Sequence, residues 1–287
     1  MTLAVGVGCA PAVISRPAPV EPPPPVTTVP TPLPALPRAE RYTIPAEVPD
    51  TRYKLNSVTG FERDSAGHRE NQRLSSEALV VVRLRRRASG ALNASGQVLG
   101  YAVQSALSSQ PIAIDSVRFD AVLDSLALRV VSRPPLVNEC DRPETGALTL
   151  VRDLLLRVPA SLSVGDQWRD STIALVCRSS LPMVVRTVAD YVVTGSVRDG
   201  GGLLLVIRRT SSSRVEGKFS SPWRSVAVSG GGTATLDVRV SVETGAVERF
   251  ESTSTLTLSV SDRTSAAAMR TQQVTQRVRL TGAKIVN

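Results

Sequence analysis

The side chains able to do chemistry are few and widely spaced. Cys9, Cys140 and Cys177 are the only thiols, and His68 is the only histidine among 287 residues. A zinc site of the usual kind draws on closely spaced Cys pairs and several His; neither occurs, so no metal ligand is assigned. A Ser-His-Asp triad needs a histidine held between nucleophile and carboxylate. His68 lies in the polar, loop-like stretch 63–73 and reads as a solvated residue. Gly-x-Ser-x-Gly, Gly-x-x-x-x-Gly-Lys and Gly-x-Gly-x-x-Gly do not occur. Carboxylates remain: Asp115, Asp120, Asp124, Asp166 and Asp170 form an acid/base pair only where two of them share a cleft. Taken singly they read as turn and strand-face residues, so no catalytic residue and no cofactor is assigned, and the chain is read as not an enzyme.

The thiols say more about compartment than about catalysis. In an oxidising environment Cys140 and Cys177 are expected to pair. Such a bridge closes a loop over residues 141–176 and stabilises by about 3 to 4 kcal/mol in the chain-entropy account. Arg83, Arg85, Arg86 and Arg87 form the densest cationic cluster and are the candidate patch for an anionic partner; the bland reading is a solvated strand end. The formal net charge is +9, yet nearly all of the cations are Arg, interleaved with Ser, Thr and acids. No RNP-like aromatic pair, zinc finger or helix-turn-helix accompanies them, so no nucleic-acid partner is assigned. Asn93-Ala94-Ser95 matches a glycosylation sequon, a triplet frequent by chance.

Cys9 stands between a small apolar leader, 1–8, and a segment, 11–49, that holds most of the 20 prolines. This N-terminus resembles a bacterial lipoprotein signal, in which a cysteine after small residues is lipidated; Val5-Gly6-Val7-Gly8-Cys9 carries the likeness, with Gly6 where leucine is usual. The resemblance implies lipidation of Cys9, a membrane partner through that anchor, and a location in the bacterial cell envelope, periplasmic or outer-membrane. A full export signal has a basic n-region and a longer apolar stretch, so the translation start is expected upstream of Met1. Prolines lock φ and remove donors, which makes 10–49 an extended tether between the leader, 1–9, and a single β-rich domain, 50–287. No apolar run reaches the ~18 residues of a membrane-spanning helix.

Within 50–287 the pattern is that of strands. Ala234, Leu236, Val238, Val240 and Val242 alternate with Thr233, Thr235, Asp237, Arg239 and Ser241, the period of a half-buried strand. Phe250, Leu256, Leu258 and Val260 share one phase of the next segment, and Val274, Val278 and Leu280 one phase of the last. Asp199-Gly200-Gly201-Gly202, Gly230-Gly231-Gly232 and Glu243-Thr244-Gly245 read as turns between them. Residues 79–84 form a buried strand that 98–107 is placed to pair with, and 119–123 and 126–130 form two short strands. Only 148–158 has helix spacing, ending before Pro159. The fold class is therefore all-β with one short helix, a large antiparallel meander forming an open or half barrel.

Val164-Gly165-Asp166-Gln167-Trp168, the following Cys177 and the Thr244-Gly245 hairpin resemble bacterial extracytoplasmic β-rich lipoproteins, a likeness spanning about 148–280. More distantly, many strands with a short helix resemble LolA-type open-barrel carriers, whose concave apolar face shelters lipid. These resemblances imply an envelope-tethered lipoprotein that binds an apolar or lipid-like ligand against residues such as Val80, Val82, Leu84, Leu236, Val238, Val240 and Leu258. Ordinary core packing is the competing account of each. The alternatives are a scaffold lipoprotein presenting an edge or the Arg patch to another envelope protein, and a carboxylate-dependent hydrolase.

Overall fold

The computed structural model describes residues 40–65, 68–87, 90–105, 112–114, 116–124, 127–133, 144–178, 181–200, 202–221, 223–264 and 270–285. Cys9, Cys140, Asp115 and residues 10–39 of the tether lie outside them. The folded body begins ahead of residue 50. Strand β1 (Arg41–Thr43) pairs with β8 (Ser161–Ser163), and Ile44 and Val48 are 2% and 1% exposed.

The remaining strands are β2 (Glu47–Ser65), β3 (His68–Arg86), β4 (Leu92–Ser105), β5 (Ile112–Ile114), β6 (Val117–Leu123), β7 (Leu128–Arg133), β9 (Gln167–Arg178), β10 (Leu181–Asp199), β11 (Gly202–Ser220), β12 (Arg224–Ser241), β13 (Val247–Thr264) and β14 (Arg270–Lys284). They run in the order β3-β2-β14-β13-β12-β11-β10-β9-β7-β6-β4-β5, and β3 pairs again with β4. That last pairing joins Leu74–Ser105 through Arg86–Leu92 and corrects the expected open or half barrel: the sheet closes into an 11-strand barrel. Strand twist accumulated over so many strands brings the first back beside the last.

An odd strand count forces one parallel neighbour pair in an otherwise alternating ring. It falls at β7 and β9, joined in parallel at Leu128 and Ala174. Helix α1 (Glu144–Val151) and a 3₁₀ turn (Arg152–Leu154) lie in the chain between them, so two strands that run the same way have a crossover between them. The helix starts and stops earlier than its spacing predicts. Leu154, Leu155 and Leu156 are successively buried, at 1%, 4% and 2% exposure. An α-helix packed on one side cannot bury three residues in a row; a segment enclosed by a barrel wall can, and here it leaves helical geometry to do so.

Two further expectations change. Gly230-Gly231-Gly232 is not a turn but the middle of β12, paired across to Val215, Arg214 and Ser213 of β11. A Cβ on Gly230 would stand 2.1 Å from the Thr257 carbonyl oxygen, so the glycines serve close strand approach rather than reversal. His68 is not in a loop but opens β3, opposite Ser65.

The packed interior falls into two clusters. The larger holds Leu55, Val80, Phe119, Ala147, Val151, Leu205, Leu236 and Phe250 among others and lies where α1 meets the wall. The smaller, Met183, Val215, Val228 and Leu258, lies toward the other end of the long strands.

Candidate functional site

Eight strands make a barrel that side chains alone can fill, and 16–18 leave an aqueous channel. Eleven fall between, so this interior needs a filler or keeps a space. At the base, α1 and its continuation are the filler. Above them, the inward phase of the wall turns small and hydroxylic: Thr187, Ser211, Ser213, Ala234, Ser254 and Thr59. Each shares its strand's phase with core residues, yet is only half-buried. At this level the two apolar clusters are not joined. Thr187 and Ser213 hydrogen-bond across β10 and β11 at 2.8 Å. At the far end a cavity of about 490 Å³ adjoins the smaller packed cluster and is lined by Leu181, Met183, Phe219, Val228, Val260 and Arg63, among others. Phe219 points inward by phase and is still 44% exposed, as expected of an open mouth.

Below this belt the interior is charged. Arg209 of β11 shares its phase with Leu205 and Ile207, so it points into the barrel, where its Nη2 donates to Asp153 Oδ1 of the 3₁₀ turn at 2.9 Å. Arg157 Nη1 donates to Asp170 Oδ1 of β9, also at 2.9 Å, and Asp170 is 8% exposed. Arg152 Nη2 donates to the Leu175 carbonyl at 3.1 Å. Trp168 and Tyr191 stack face to face, centroids 4.8 Å apart, and Trp168 Nε1 donates to the Arg157 carbonyl. Burial pushes the Tyr191 hydroxyl up, with Arg209 opposing. Burial also lowers Arg152 to about 10. For Arg209 burial acts in the same sense, but Asp153 and Tyr191 outweigh it and hold the guanidinium above its ordinary value. Arg152 and Arg209 did not stand out in the sequence, whereas Asp153 and Arg157, spaced four apart as a helical ion pair, meet Arg209 and Asp170 instead of each other. The available signal was an arginine on the apolar phase of a strand, at 209, and it was masked by the many arginines on outward phases.

The residues singled out from sequence lie elsewhere or are occupied. Arg83 and Arg85 pair with Asp50 and Glu47 at 2.7 and 3.2 Å. Arg86 is turned in, donating to the carbonyls of Pro45 and Gly245, and Arg87 meets the Asn93 side-chain carbonyl. The four therefore do not present one free cationic face. Asp120 pairs with Arg133, Asp124 accepts from the Ala127 amide, Asp166 accepts from the Ser163 amide beside Gly165 at φ +92, and Asp170 holds Arg157. No two of these four share a cleft as an acid/base pair. His68 is exposed, 3.9 Å from Glu70. Cys140, the expected disulfide partner of Cys177, lies outside the described residues.

The expected apolar-ligand carrier is overturned by the closed barrel. Val80, Val82, Leu84, Leu236, Val238, Val240 and Leu258 are 0–3% exposed, packed as core rather than spread on a concave open face. The outer wall carries ion pairs at several levels, beside exposed Leu79, Val122, Ile173, Leu175 and Val188. Arg83–Asp50 lies near the base, Lys54–Glu77, Arg208–Asp237, Arg169–Asp190 and Arg279–Glu251 lie midway, and Arg224–Asp262 lies near the mouth.

No protein-family model matches the chain, and no curated protein matches it. Among solved structures it is similar to Pseudomonas aeruginosa OccK2 (OpdF), at 6% identity and a TM-score of 0.28 over 83% of this chain and 99% of that one. It is also similar to P. aeruginosa OpdQ, at 6% identity and 0.25 over 83% and 100%, and to a porin of Rh. blastica, at 8% and 0.21 over 81% and 100%. These are porin-type barrels and not lipoproteins or LolA-type carriers. The barrel itself is defined by the strand order and the β3–β4 closure.

Proposed function

We propose that the protein is a solute-admitting barrel: small polar solutes enter its lumen at the mouth and stop at the plug formed by α1 and the 3₁₀ turn. The observation that carries this reading is the belt of inward-facing hydroxyl and small residues, left half-buried between two packed clusters. Apolar solutes gain little from such a belt, whereas a solute with its own donors and acceptors replaces water there at small cost. Action in the bacterial envelope belongs to the same proposal, together with the expected Cys140–Cys177 bond, which would persist in an oxidising compartment.

The test is thiol accessibility in a Cys9→Ser background. Ser254→Cys, in the belt, should react quickly with a small charged thiosulfonate, while Val238→Cys, in the packed base, should stay protected until the protein unfolds. A protected Ser254→Cys would refute the open lumen. Single-channel conductance in a planar bilayer would refute the plug, since solute would then pass through rather than stop.

A further inference from the structure

We infer that one side of the barrel, across β6, β7, β9 and β10, is a docking face for an anionic lipid bilayer. This goes beyond the solute reading and does not depend on it.

Val122, Ile173, Leu175 and Val188 are 37%, 39%, 55% and 43% exposed, and the sheet gathers them on neighbouring strands. Ile173 and Leu175 flank the buried Ala174 on β9 and therefore point outward, as Val122 does between buried Ala121 and Leu123 on β6. Leu175 stands opposite Val184 of β10, and Val122 opposite Arg129 of β7. Because Leu128 pairs with Ala174 at the parallel join, the next residue of each strand, Arg129 and Leu175, fall beside one another on the outer face. Contiguous apolar exposure of this kind marks a contact surface, which scattered single residues do not.

The cations of the same face are not used by the fold. Arg118, Arg129, Arg186 and Arg214 are exposed and make no ion pair or side-chain hydrogen bond among the described residues. Arg186 stands between Ile173 of β9 and Arg214 of β11, and like charges directly opposite one another destabilise a sheet. Asp120 and Asp190, outward on β6 and β10, are already paired with Arg133 and Arg169. Against the unpaired arginines stands Glu216, opposite Val184. An anion brought from outside relieves the repulsion, and the aliphatic side chains among the arginines are covered only if that anion is joined to something apolar. Anionic lipid supplies both, since peripheral attachment grows with apolar area buried and with charge attraction together. A convex wall suits a fluid surface. Aromatic anchors, which dominate protein interfaces, do not point outward on these four strands among the described residues.

The test uses the full chain carrying Cys9→Ser, so that no acyl group contributes, and measures co-sedimentation with vesicles of phosphatidylglycerol and phosphatidylethanolamine, beside vesicles of phosphatidylcholine alone. Saturable binding to the first, little to the second, and release as added salt screens the charges are expected. Arg129→Gln and Arg186→Gln should each lower the partition coefficient about fivefold, and Leu175→Ser by a similar factor. Arg249→Gln removes an equal charge from β13, across the ring, and should change it by less than about twofold. Equal binding to both kinds of vesicle, or equal losses from Arg249→Gln and Arg129→Gln, would overturn the assignment of this face. Absence of binding to the anionic vesicles would overturn it outright, and a dimer in sedimentation velocity that Leu175→Ser dissolves would show a second copy in place of lipid. Labelling of Ser254→Cys reads the lumen separately, so the two readings fail independently.

Discussion

Alanine at Gly230 or Gly232 puts a single methyl group where the wall has no room for it. At Gly230 the new Cβ would sit 2.1 Å from the Thr257 carbonyl oxygen and 2.9 Å from the Leu258 Cα; at Gly232 it would sit 2.2 Å from the Thr255 oxygen and 2.9 Å from the Leu256 Cα. Ordinary contact begins near 3.4 Å, so β13 must retreat by more than an ångström. The obstacle is backbone, held on its other side by β14, and no rotamer change relieves it. Overpacking of this kind costs about 1–3 kcal/mol, and both positions belong at the upper end. Because both press on the same strand, the double variant should cost less than the sum. For a domain of this size about 3 kcal/mol corresponds to a fall in Tm of roughly 6–12 °C. Gly60→Ala is the control, since nothing lies within 4 Å of its Cβ position, and it should be neutral or stabilise by about 0.4–1 kcal/mol. Urea unfolding with an unchanged m-value reads the difference. Gly230→Ala and Gly232→Ala as stable as the Gly60→Ala control would refute the strand register through β12 and, with it, the placing of the hydroxyl belt.

Arg157→Met should cost about 3–5 kcal/mol in urea unfolding, because it strands the Asp170 carboxylate without its cation, and adding Asp170→Leu should recover most of that loss. Arg86→Ala should cost about 1–3 kcal/mol by orphaning two part-buried carbonyls, whereas Arg83→Ala and Arg85→Ala, whose ion pairs are exposed, should each change stability by less than about 0.5 kcal/mol in the same assay. Burial, with Glu248 adding to it, raises the Tyr53 hydroxyl far above its ordinary value. The neutral form is therefore favoured by folding: its contribution is complete below about pH 10 and is lost as pH rises from there toward the folded value. Tm measured against pH should fall above about 10, and Tyr53→Phe should make that fall shallower; an unchanged slope would refute the assignment. At the acid end, hydrogen bonds from Arg169 and Arg224 lower Asp190 and Asp262. Their contribution is present above about pH 4 and is lost as pH falls through the lower folded values, so Asp190→Asn with Asp262→Asn should flatten the acid limb of the same curve slightly, these pairs being open to solvent.

Much of the wall was legible because alternation is local. Leu236, Val238 and Val240 against Asp237 and Arg239 report a two-faced strand whatever they pair with. The turn at Glu243-Thr244-Gly245 was legible too, since Gly245 takes φ +68, a conformation that few other residues accept. Gly230-Gly231-Gly232 misled for a related reason. Glycine marks both reversal and close approach, and only the partner strand tells which. Helix spacing at 148–158 located the plug but not its bounds, because enclosure on all sides by the wall let three leucines in a row leave the helix and remain buried.

Composition and periodicity alone determined that the chain is β-rich, that it has, among the described residues, one short α-helix, and that closely spaced Cys pairs of the zinc-site kind do not occur. These follow from residue type and short-range order. Closure of the ring by β3 and β4, the parallel join at β7 and β9, and the meeting of Arg209 with Asp153 across 55 intervening residues, 154–208, were decided only in three dimensions. Strand pairing is set by twist and by which edges remain unsatisfied once every other strand has found its neighbour, and no window along the sequence contains that sum.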